Sequence, residues 1–207
     1  MLIDKTVVAE NNSKVLADHR HKFDFIAREI PHVEEIIKKL IAFQIAIPSW
    51  ALGTGGTRFG RFPGGGEPRS LEEKIEDVGL LHALNNSSGA ISLHIPWDIP
   101  ENPGAIKALA AQHGLLFDAV NSNTFQNQPH QKESYKFGSL QHADKAVRKQ
   151  AIRHNVDVIK HGADLGSKSL TVWLADGSCF PGQLNFRKSF ENTLESLHEI
   201  YASLPED

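Results

Sequence analysis

The chain has 207 residues, of which 40 % are hydrophobic and 23 % charged, a composition typical of a folded globular protein. Its formal net charge of −3, with Lys and Arg scattered along the chain, argues against nucleic-acid and membrane-surface binders, which need a basic surface. The single cysteine, Cys179, excludes an internal disulfide and a cysteine-based structural zinc site. Because no apolar run reaches signal-peptide or membrane-spanning length, we expect a cytoplasmic protein.

Helical and strand patterns alternate along the chain. A polar lead-in over residues 1–30 contains a helix predicted from about Ser13 to Arg28. Residues 31–207 contain four strand–helix units. Their strands are predicted at Gln44–Ile47, Ala90–Ile95, Leu115–Val120 and Ser169–Leu174. Helices are predicted at His32–Ala42, Pro103–Gln112, His142–Leu165 and Phe186–Tyr201, of which His142–Leu165 is the longest. A further helix is predicted to begin after Ser70, which has the spacing of a capping box with Glu73 three residues later.

Each predicted strand is a continuous apolar run, which indicates a parallel sheet covered by helices. The sequence therefore predicts one α/β domain over residues 1–207. In such sheets the chemistry lies at the carboxyl ends of the strands. The side chains expected there are Trp50, His94, Trp97, Asp98, Asn121, Asn123, Phe125, Trp173 and Asp176.

A glycine-rich loop follows the first strand. Ile45–Glu67 contains seven glycines and the aromatics Trp50, Phe59 and Phe62, which favours a loop that closes over a ligand, although a flexible linker is the alternative. Arg58 stands where a dinucleotide fingerprint needs a small residue, and no Gly-Lys-Ser/Thr follows to make a P-loop. Aromatic rings with few fixed charges favour a neutral polar ligand such as a sugar.

Each candidate site residue also has a purely structural interpretation. His94 could transfer protons at a strand end or could be a buried, hydrogen-bonded histidine. Trp50 and Trp173 could be platforms for a ligand ring or core residues. Asp98 and Asp176 could be metal ligands or general bases, but an Asp after a strand is more often a turn or cap residue.

Two further groups are weaker candidates. Cys179 could pair with His94 as a nucleophile, but a lone cysteine in a Gly-Ser-Cys-Phe-Pro turn is usually a bystander. His142, His154 and His161 are predicted to be solvated on a helix. No helix carries a His-x-x-x-His spacing, and no metal ligands are assigned in this chain.

Five segments together resemble a known enzyme family, the L-rhamnose isomerases of the broad-specificity, D-allose-accepting type. These segments are Ile47–Phe59, Ser92–Asp98, Asn121–Phe125, Ser134–Leu140, and Thr171–Ser178 with Phe180–Gly182. The resemblance implies a (β/α)8 TIM barrel, of which this chain covers about the first four strand–helix units. It also implies interconversion of aldoses and ketoses with a divalent metal, usually manganese, in a homotetramer.

The resemblance also implies residue roles. Trp50, Phe125 and Trp173 would line the sugar pocket, and Phe59 would close the pocket of a neighbouring subunit. His94 would lie by the ring oxygen and assist opening of the cyclic sugar, before a metal-assisted hydrogen shift between C1 and C2.

The chain departs from this family in one respect. The family's metal-binding Glu, Asp and His residues and its active-site lysine come from later strands, and this sequence ends before a fifth strand. We therefore expect it to supply the sugar-binding side, to bind no metal and to be inactive alone. Its open sheet edges predict either pairing with another chain or poor stability alone.

Two alternatives remain open. One is a non-catalytic sugar-binding or assembly half. The other is a different barrel enzyme, such as a sugar-phosphate isomerase or epimerase, in which Arg58, Arg61 and Arg69 would bind the phosphate.

Overall fold

The computed structural model describes residues 4–52, 56–57, 60–61, 65–175, 177, 180 and 182–206, with the backbone alone at residues 5, 56, 57, 60 and 61. The helices are α1 (Lys5–Ala27), α2 (Val33–Ala42), α3 (Leu71–Asn85), α4 (Pro103–Gln112), α5 (Lys145–Leu165) and α6 (Phe186–Tyr201). The strands are β1 (Ala46–Pro48), β2 (Gly56–Thr57), β3 (Gly60–Arg61), β4 (Ala90–Ile95), β5 (Leu116–Thr124) and β6 (Leu170–Leu174), and a 3-10 turn, Ser49–Ala51, follows β1.

Four of the strands form one parallel sheet. Its order is β1-β4-β5-β6, and every neighbouring pair is parallel. Helices α3, α4 and α5 make the crossovers between successive strands of this sheet. The predicted α/β fold with four strand–helix units is therefore confirmed. The small antiparallel pair β2–β3, which lies within the glycine-rich loop, was not expected from the sequence.

The strand register places polar residues beside His94. Ile91 pairs with Phe117, but Leu93 pairs with Val120, so β5 has one extra residue between these two pairs. Because side chains alternate between the faces of a strand, one extra residue exchanges the faces. Val120 thus joins Leu93 in the apolar core, and Asn121 becomes the partner of His94.

The main core lies between the sheet and helices α3, α4 and α5. Its fully buried members include Ile75, Val78 and Ile91. A second cluster joins α5 to the loop before it and to α6, and it includes Leu140, Ile152 and Ile200. The close approach of α5 to β5 requires a glycine at 162, since a Cβ there would lie 2.8 Å from a methyl group of Val120.

Several element boundaries differ from the expectation. Helix α1 begins at Lys5 because the Asp4 carboxylate accepts a hydrogen bond from the Thr6 amide at 2.8 Å. With 23 residues it is longer than α5, which has 21. The Asp144 side chain caps α5, so that helix begins at Lys145 instead of His142. The predicted Ser70 cap is confirmed, with its hydroxyl 3.2 Å from the Glu73 amide.

Two amphipathic helices leave apolar faces exposed. No residue of α2 is fully buried. On α6 the regularly spaced apolar residues are exposed, whereas Asn192, Ser196 and Ile200 are buried. Ser196 donates to the Leu140 carbonyl at 2.8 Å, so α6 packs against the loop before α5 through its polar face. The exposed residues are Phe186, Phe190, Leu194, Leu197 and Tyr201.

Among the described residues, the helices that reach membrane-spanning length are too polar to cross a bilayer.

Candidate functional site

Aromatic side chains converge on His94 at the carboxyl end of β4. The indole of Trp97 stacks on the imidazole, with centroids 4.1 Å apart and planes inclined by 18°. Trp50 and Phe125 approach edge-on, with centroids at 5.2 and 5.9 Å. Phe125 in turn contacts Trp173 at 5.9 Å. We call these five residues the aromatic mouth.

Local backbone geometry builds the aromatic mouth. Trp50 lies in the 3-10 turn directly after β1. The Asp98 amide donates to the His94 carbonyl at 3.0 Å, which closes a turn that brings Trp97 back over the imidazole. Phe125 follows the last residue of β5, and Trp173 lies on β6. The carboxyl ends of β4, β5 and β6 and two turns therefore supply the site.

His94 is buried and neutral, and no described residue forms a hydrogen bond with its imidazole. The residue is 3 % exposed, and neither ring nitrogen has a partner among the described residues. Burial is the main cause that lowers its pKa to about 4. The negative charge of Asp98 opposes this shift, whereas the positive charges of Lys74 and of His154 in its protonated form act in the same direction as burial. At neutral pH the imidazole therefore has one N–H donor and one free acceptor nitrogen.

Asp98 belongs to a buried ion-pair network. Its carboxylate accepts hydrogen bonds from the Lys74 ammonium at 2.6 Å, the Ser49 hydroxyl at 2.5 Å and the His94 amide at 2.8 Å. The residue is 1 % exposed. Asp98 does lie in a turn, as its structural interpretation predicted. Its carboxylate also connects the 3-10 turn after β1 and helix α3 to the end of β4. We call Ser49, Lys74 and Asp98 the anchoring network.

Two asparagines on β5 extend the site toward β6. The Asn121 carbonyl oxygen accepts from the Trp173 indole N–H at 3.0 Å, and its NH2 donates to the Leu93 carbonyl at 3.0 Å. Trp173 is 44 % exposed, so it is not a core residue. Asn123 pairs with Trp173 in the strand register and is 1 % exposed.

The expectation that three histidines are solvated on one helix is wrong for two of them. His154 is partly buried, and its Nε2 accepts a hydrogen bond from the Asn123 amide at 3.2 Å. Burial lowers the pKa of His154. His142 precedes α5, where its Nδ1 accepts from the Asp144 amide at 2.9 Å. His161 lies on α5 as predicted.

Some sequence candidates fall outside the described residues. These are Arg58, Phe59, Asp176 and Cys179, together with the side chain of Arg61. Arg69 is described and exposed, and its backbone amide donates to the Glu73 carboxylate at 2.5 Å. The structure thus brings together Trp50, His94, Phe125 and Trp173 from the predicted sugar-binding set.

The described residues do not fit a divalent metal. Within that part of the chain, no group of three or more His, Cys, Asp or Glu residues converges. The carboxylate of Asp98, which lies at the aromatic mouth, already accepts three hydrogen bonds, one of them from a lysine cation. We therefore derive no step through a metal from these residues.

The sequence analysis did not identify Lys74 or Ser49. It named Asn123 as a strand-end residue but did not predict that its side chain is buried and has no hydrogen-bond partner among the described residues. One signal for Lys74 was present, since it lies between Leu71 and Ile75 on the apolar face of α3, where a lysine needs a partner. Ser49 carries no comparable signal. The burial of Asn123 depends on the extra residue in β5, which leaves no mark in the sequence pattern.

Known proteins similar to this chain are sugar isomerases by name. A protein of Rhizobium meliloti (strain 1021) named "Probable sugar isomerase" is 48 % identical over 210 residues, and one of Mesorhizobium japonicum with the same description is 47 % identical over 210 residues. Both alignments cover 100 % of this chain and 49 % of the relative. The chain therefore spans about half the length of the curated relatives it matches. No protein-family model matches the sequence.

Solved structures agree on the fold. An L-ribulose 3-epimerase superposes with a TM-score of 0.53 and 16 % identity, covering 78 % of this chain and 46 % of the other. A D-allulose 3-epimerase from Methylomonas sp. superposes with a TM-score of 0.52 and 12 % identity, covering 78 % and 47 %. At this identity the likeness concerns the fold alone. The four parallel strands of this chain form a partial barrel of that type.

Proposed function

We propose that this chain supplies the sugar-binding and ring-opening side of an aldose–ketose isomerase or sugar epimerase that acts on unphosphorylated sugars. The observation that carries the proposal is His94, a buried and neutral imidazole with no hydrogen-bond partner in the described part of the chain, enclosed by aromatic rings at the strand ends. The names of the two curated relatives support the same class of reaction.

The aromatic mouth suits the two faces of a sugar. Pyranose C–H groups pack against ring faces, and the half-exposed indole of Trp173 offers such a face. Hydroxyl groups need hydrogen bonds inside a pocket, and the free imidazole nitrogens of His94 can supply a donor and an acceptor. A neutral site of this kind favours a neutral ligand over a phosphate ester.

His94 would act as the group that opens the sugar ring. Its acceptor nitrogen takes the proton of the anomeric hydroxyl, the bond between C1 and the ring oxygen breaks, and the imidazolium that has formed returns a proton to the ring oxygen. The products are a carbonyl at C1 and a free hydroxyl. A histidine whose pKa lies well below neutrality is available for the first step as the unprotonated base.

The substrate and the position of the reaction are finer proposals. The sequence resemblance favours L-rhamnose and a shift between C1 and C2, for which manganese would be the expected metal. The relatives' names fit any sugar isomerisation, and a related isomerase or epimerase of the same barrel type is equally in accord with them. The same resemblance leads us to propose a cytoplasmic homotetramer. The mass of the protein in solution measures its oligomeric state.

The test is binding and turnover with the 207-residue chain. Calorimetric titration with L-rhamnose, with a ketohexose and with their phosphate esters should show heat for the free sugars, and His94→Gln should weaken that binding. His198→Gln, on the exposed face of α6, is the matched control and should leave binding unchanged. Binding heat with the phosphate esters alone would refute the proposal, and Arg69 would then be the described candidate for binding the phosphate.

A second candidate is a sugar-binding half without catalysis. It is favoured by the absence of a metal-competent cluster in the described part of the chain. Ketose formation from L-rhamnose, assayed with and without Mn²⁺, separates the two candidates. Turnover that a chelator abolishes would reject the non-catalytic candidate and place metal ligands outside the described residues, where Asp176 lies.

A further inference from the structure

We propose that the side-chain amide of Asn123 is a specificity-determining contact of the sugar site, where it binds a hydroxyl group of the substrate through its carbonyl oxygen and its NH2. This inference rests on the proposed function and assigns it a second polar group beside His94. The geometry that points to it is a buried side-chain amide that lies in register with Trp173 and has no hydrogen-bond partner among the residues that the structure describes.

Asn123 is the most incompletely satisfied amide in the described part of the chain. The residue is 1 % exposed, and both Oδ1 and Nδ2 lack a hydrogen-bond partner. Other buried asparagines are better served. Asn155 donates to the Ala151 carbonyl at 2.9 Å, and Asn192 donates to the carbonyls of Gln141 and His142.

An unpaired buried amide is costly for a purely structural residue. Leaving a buried polar group without a partner costs about 1–3 kcal/mol, and most buried polar side-chain atoms do have partners. An apolar residue of similar size would avoid that cost. A ligand that forms the missing bonds gives a physical reason for an amide at this position.

The strand register places Asn123 in the site. Asn121 pairs with His94, and Asn123 lies two residues further on the same face of β5, in register with Trp173. Phe125, which contacts both His94 and Trp173, comes two residues later. The extra residue in β5 that puts Asn121 beside His94 puts Asn123 on that face as well.

The backbone of Asn123 is held in place by a hydrogen bond, whereas its side chain forms none with the described residues. Its amide N–H donates to His154 Nε2 at 3.2 Å, from helix α5 on the other side of the sheet. A fixed backbone presents the side chain without a further ordering cost when a ligand binds.

The amide chemistry selects a hydroxyl and not an anion. A carbonyl oxygen accepts and an NH2 donates, so a hydroxyl or a neighbouring pair of hydroxyls can satisfy both atoms. A phosphate offers mainly acceptors, which would leave Oδ1 unpaired against negative charge. Asn123 and the neutral His94 therefore favour the same ligand class, a free sugar.

The test compares stability with sugar affinity in Asn123→Leu. Removing an unsatisfied amide should leave the urea midpoint unchanged or raise it, because no hydrogen bond of the side chain is lost. Affinity for the free sugar should fall roughly tenfold or more, because a ligand hydroxyl loses its partners in the pocket. A structural role alone would not produce these opposite changes.

Asn192→Leu is the matched control. It removes a buried amide that makes two hydrogen bonds to the loop before α5, so it should lower the urea midpoint and leave sugar affinity unchanged. Monodeoxy sugars then identify the hydroxyl. One analogue should bind the native chain and Asn123→Leu with equal affinity, since the contact is already absent.

The outcomes separate this inference from the proposed function. If the native chain binds no free sugar, both fail. If it binds a sugar and Asn123→Leu binds it equally well, or if every monodeoxy analogue still distinguishes the two chains, the Asn123 contact is refuted and the proposed function stands. If affinity and stability fall together, Asn123 has a structural role and the inference is wrong.

Discussion

The anchoring network and the polar groups of the aromatic mouth lie at the same strand end, yet they differ in how they are satisfied. Asp98 in the network accepts three hydrogen bonds, whereas both ring nitrogens of His94 in the aromatic mouth, and both side-chain polar atoms of the neighbouring Asn123, have no partner among the described residues. All three residues are at most 3 % exposed. Burial alone therefore does not distinguish Asp98 from the two residues that we propose bind a ligand, whereas the number of hydrogen bonds to their side chains does.

This comparison predicts opposite consequences of mutation. A change in the anchoring network should destabilise the fold, because it leaves a charge or a polar group without its partner. A change at His94 or Asn123, whose side-chain polar atoms have no partner among the described residues, should affect ligand binding and leave stability at neutral pH nearly unaltered or improved. The following predictions run from the largest expected effect to the smallest.

Lys74→Met should cost about 3–5 kcal/mol of unfolding free energy, because it leaves the carboxylate of Asp98 buried without its cation. Urea denaturation measures this loss. Introducing Asp98→Asn into that variant removes the buried charge and should recover part of the loss. A Lys74→Met chain that kept its stability but lost sugar affinity would place the network in the ligand site and break the comparison.

The His94 imidazole should titrate with a pKa of about 4 in the folded chain, which a pH series of imidazole NMR spectra measures directly. The unfolded chain has the ordinary value near 6.5, so it binds more protons between these two pH values. The contribution of His94 to the unfolding free energy is therefore fully present above pH 6.5. It decreases by about 3 kcal/mol as the pH falls from 6.5 through 4.

His94→Gln should remove most of that acid-dependent loss. The part that remains belongs to groups such as His154, whose pKa burial also lowers. Folded-state titration of His94 near pH 6.5 would mean that water reaches the ring, and the description of a desolvated mouth would be wrong.

Trp173→Phe should cost about 1 kcal/mol of stability, because Asn121 loses the indole N–H at 3.0 Å while the exposed ring contributes little burial. Sugar affinity should change more than stability if Trp173 is a binding face. Equal changes in both, measured by urea denaturation and calorimetry, would assign Trp173 to the fold.

Phe190→Ser on α6 should alter the unfolding free energy by less than about 0.5 kcal/mol, since the ring is 63 % exposed. The buried Leu93 of β4 provides the contrast, and Leu93→Ala should cost about 2–5 kcal/mol. A large loss from Phe190→Ser would show that a contact in solution covers this face of α6.

The sequence predicts the parts of this fold that depend on local pattern. Apolar runs bounded by Gly and Pro locate the strands, and the limits of β4 and α4 agree with the prediction. The register of β5 does not follow from pattern, because the extra residue is identified only by its partner strand. The packing face of α6 is also unpredictable, since its polar face, with Asn192 and Ser196, packs against loop carbonyls.

The site follows the same division. The position of His94 at a strand end, and the aromatic residues around it, could be inferred from the order of the elements. The ion pair of Lys74 with Asp98 joins residues 24 positions apart in the sequence. The side-chain amide of Asn123 is unusual because no described neighbour forms a hydrogen bond with it. These properties exist only in the packed chain.

The most direct test is the imidazole NMR spectrum of His94 during titration with L-rhamnose and with its ketose. Saturable shifts of the His94 resonances by free sugar, with no shift from the phosphate esters, are the predicted result. Unchanged His94 resonances up to roughly 100 mM free sugar, well above the usual range of KM, would contradict the proposal that this mouth binds a sugar.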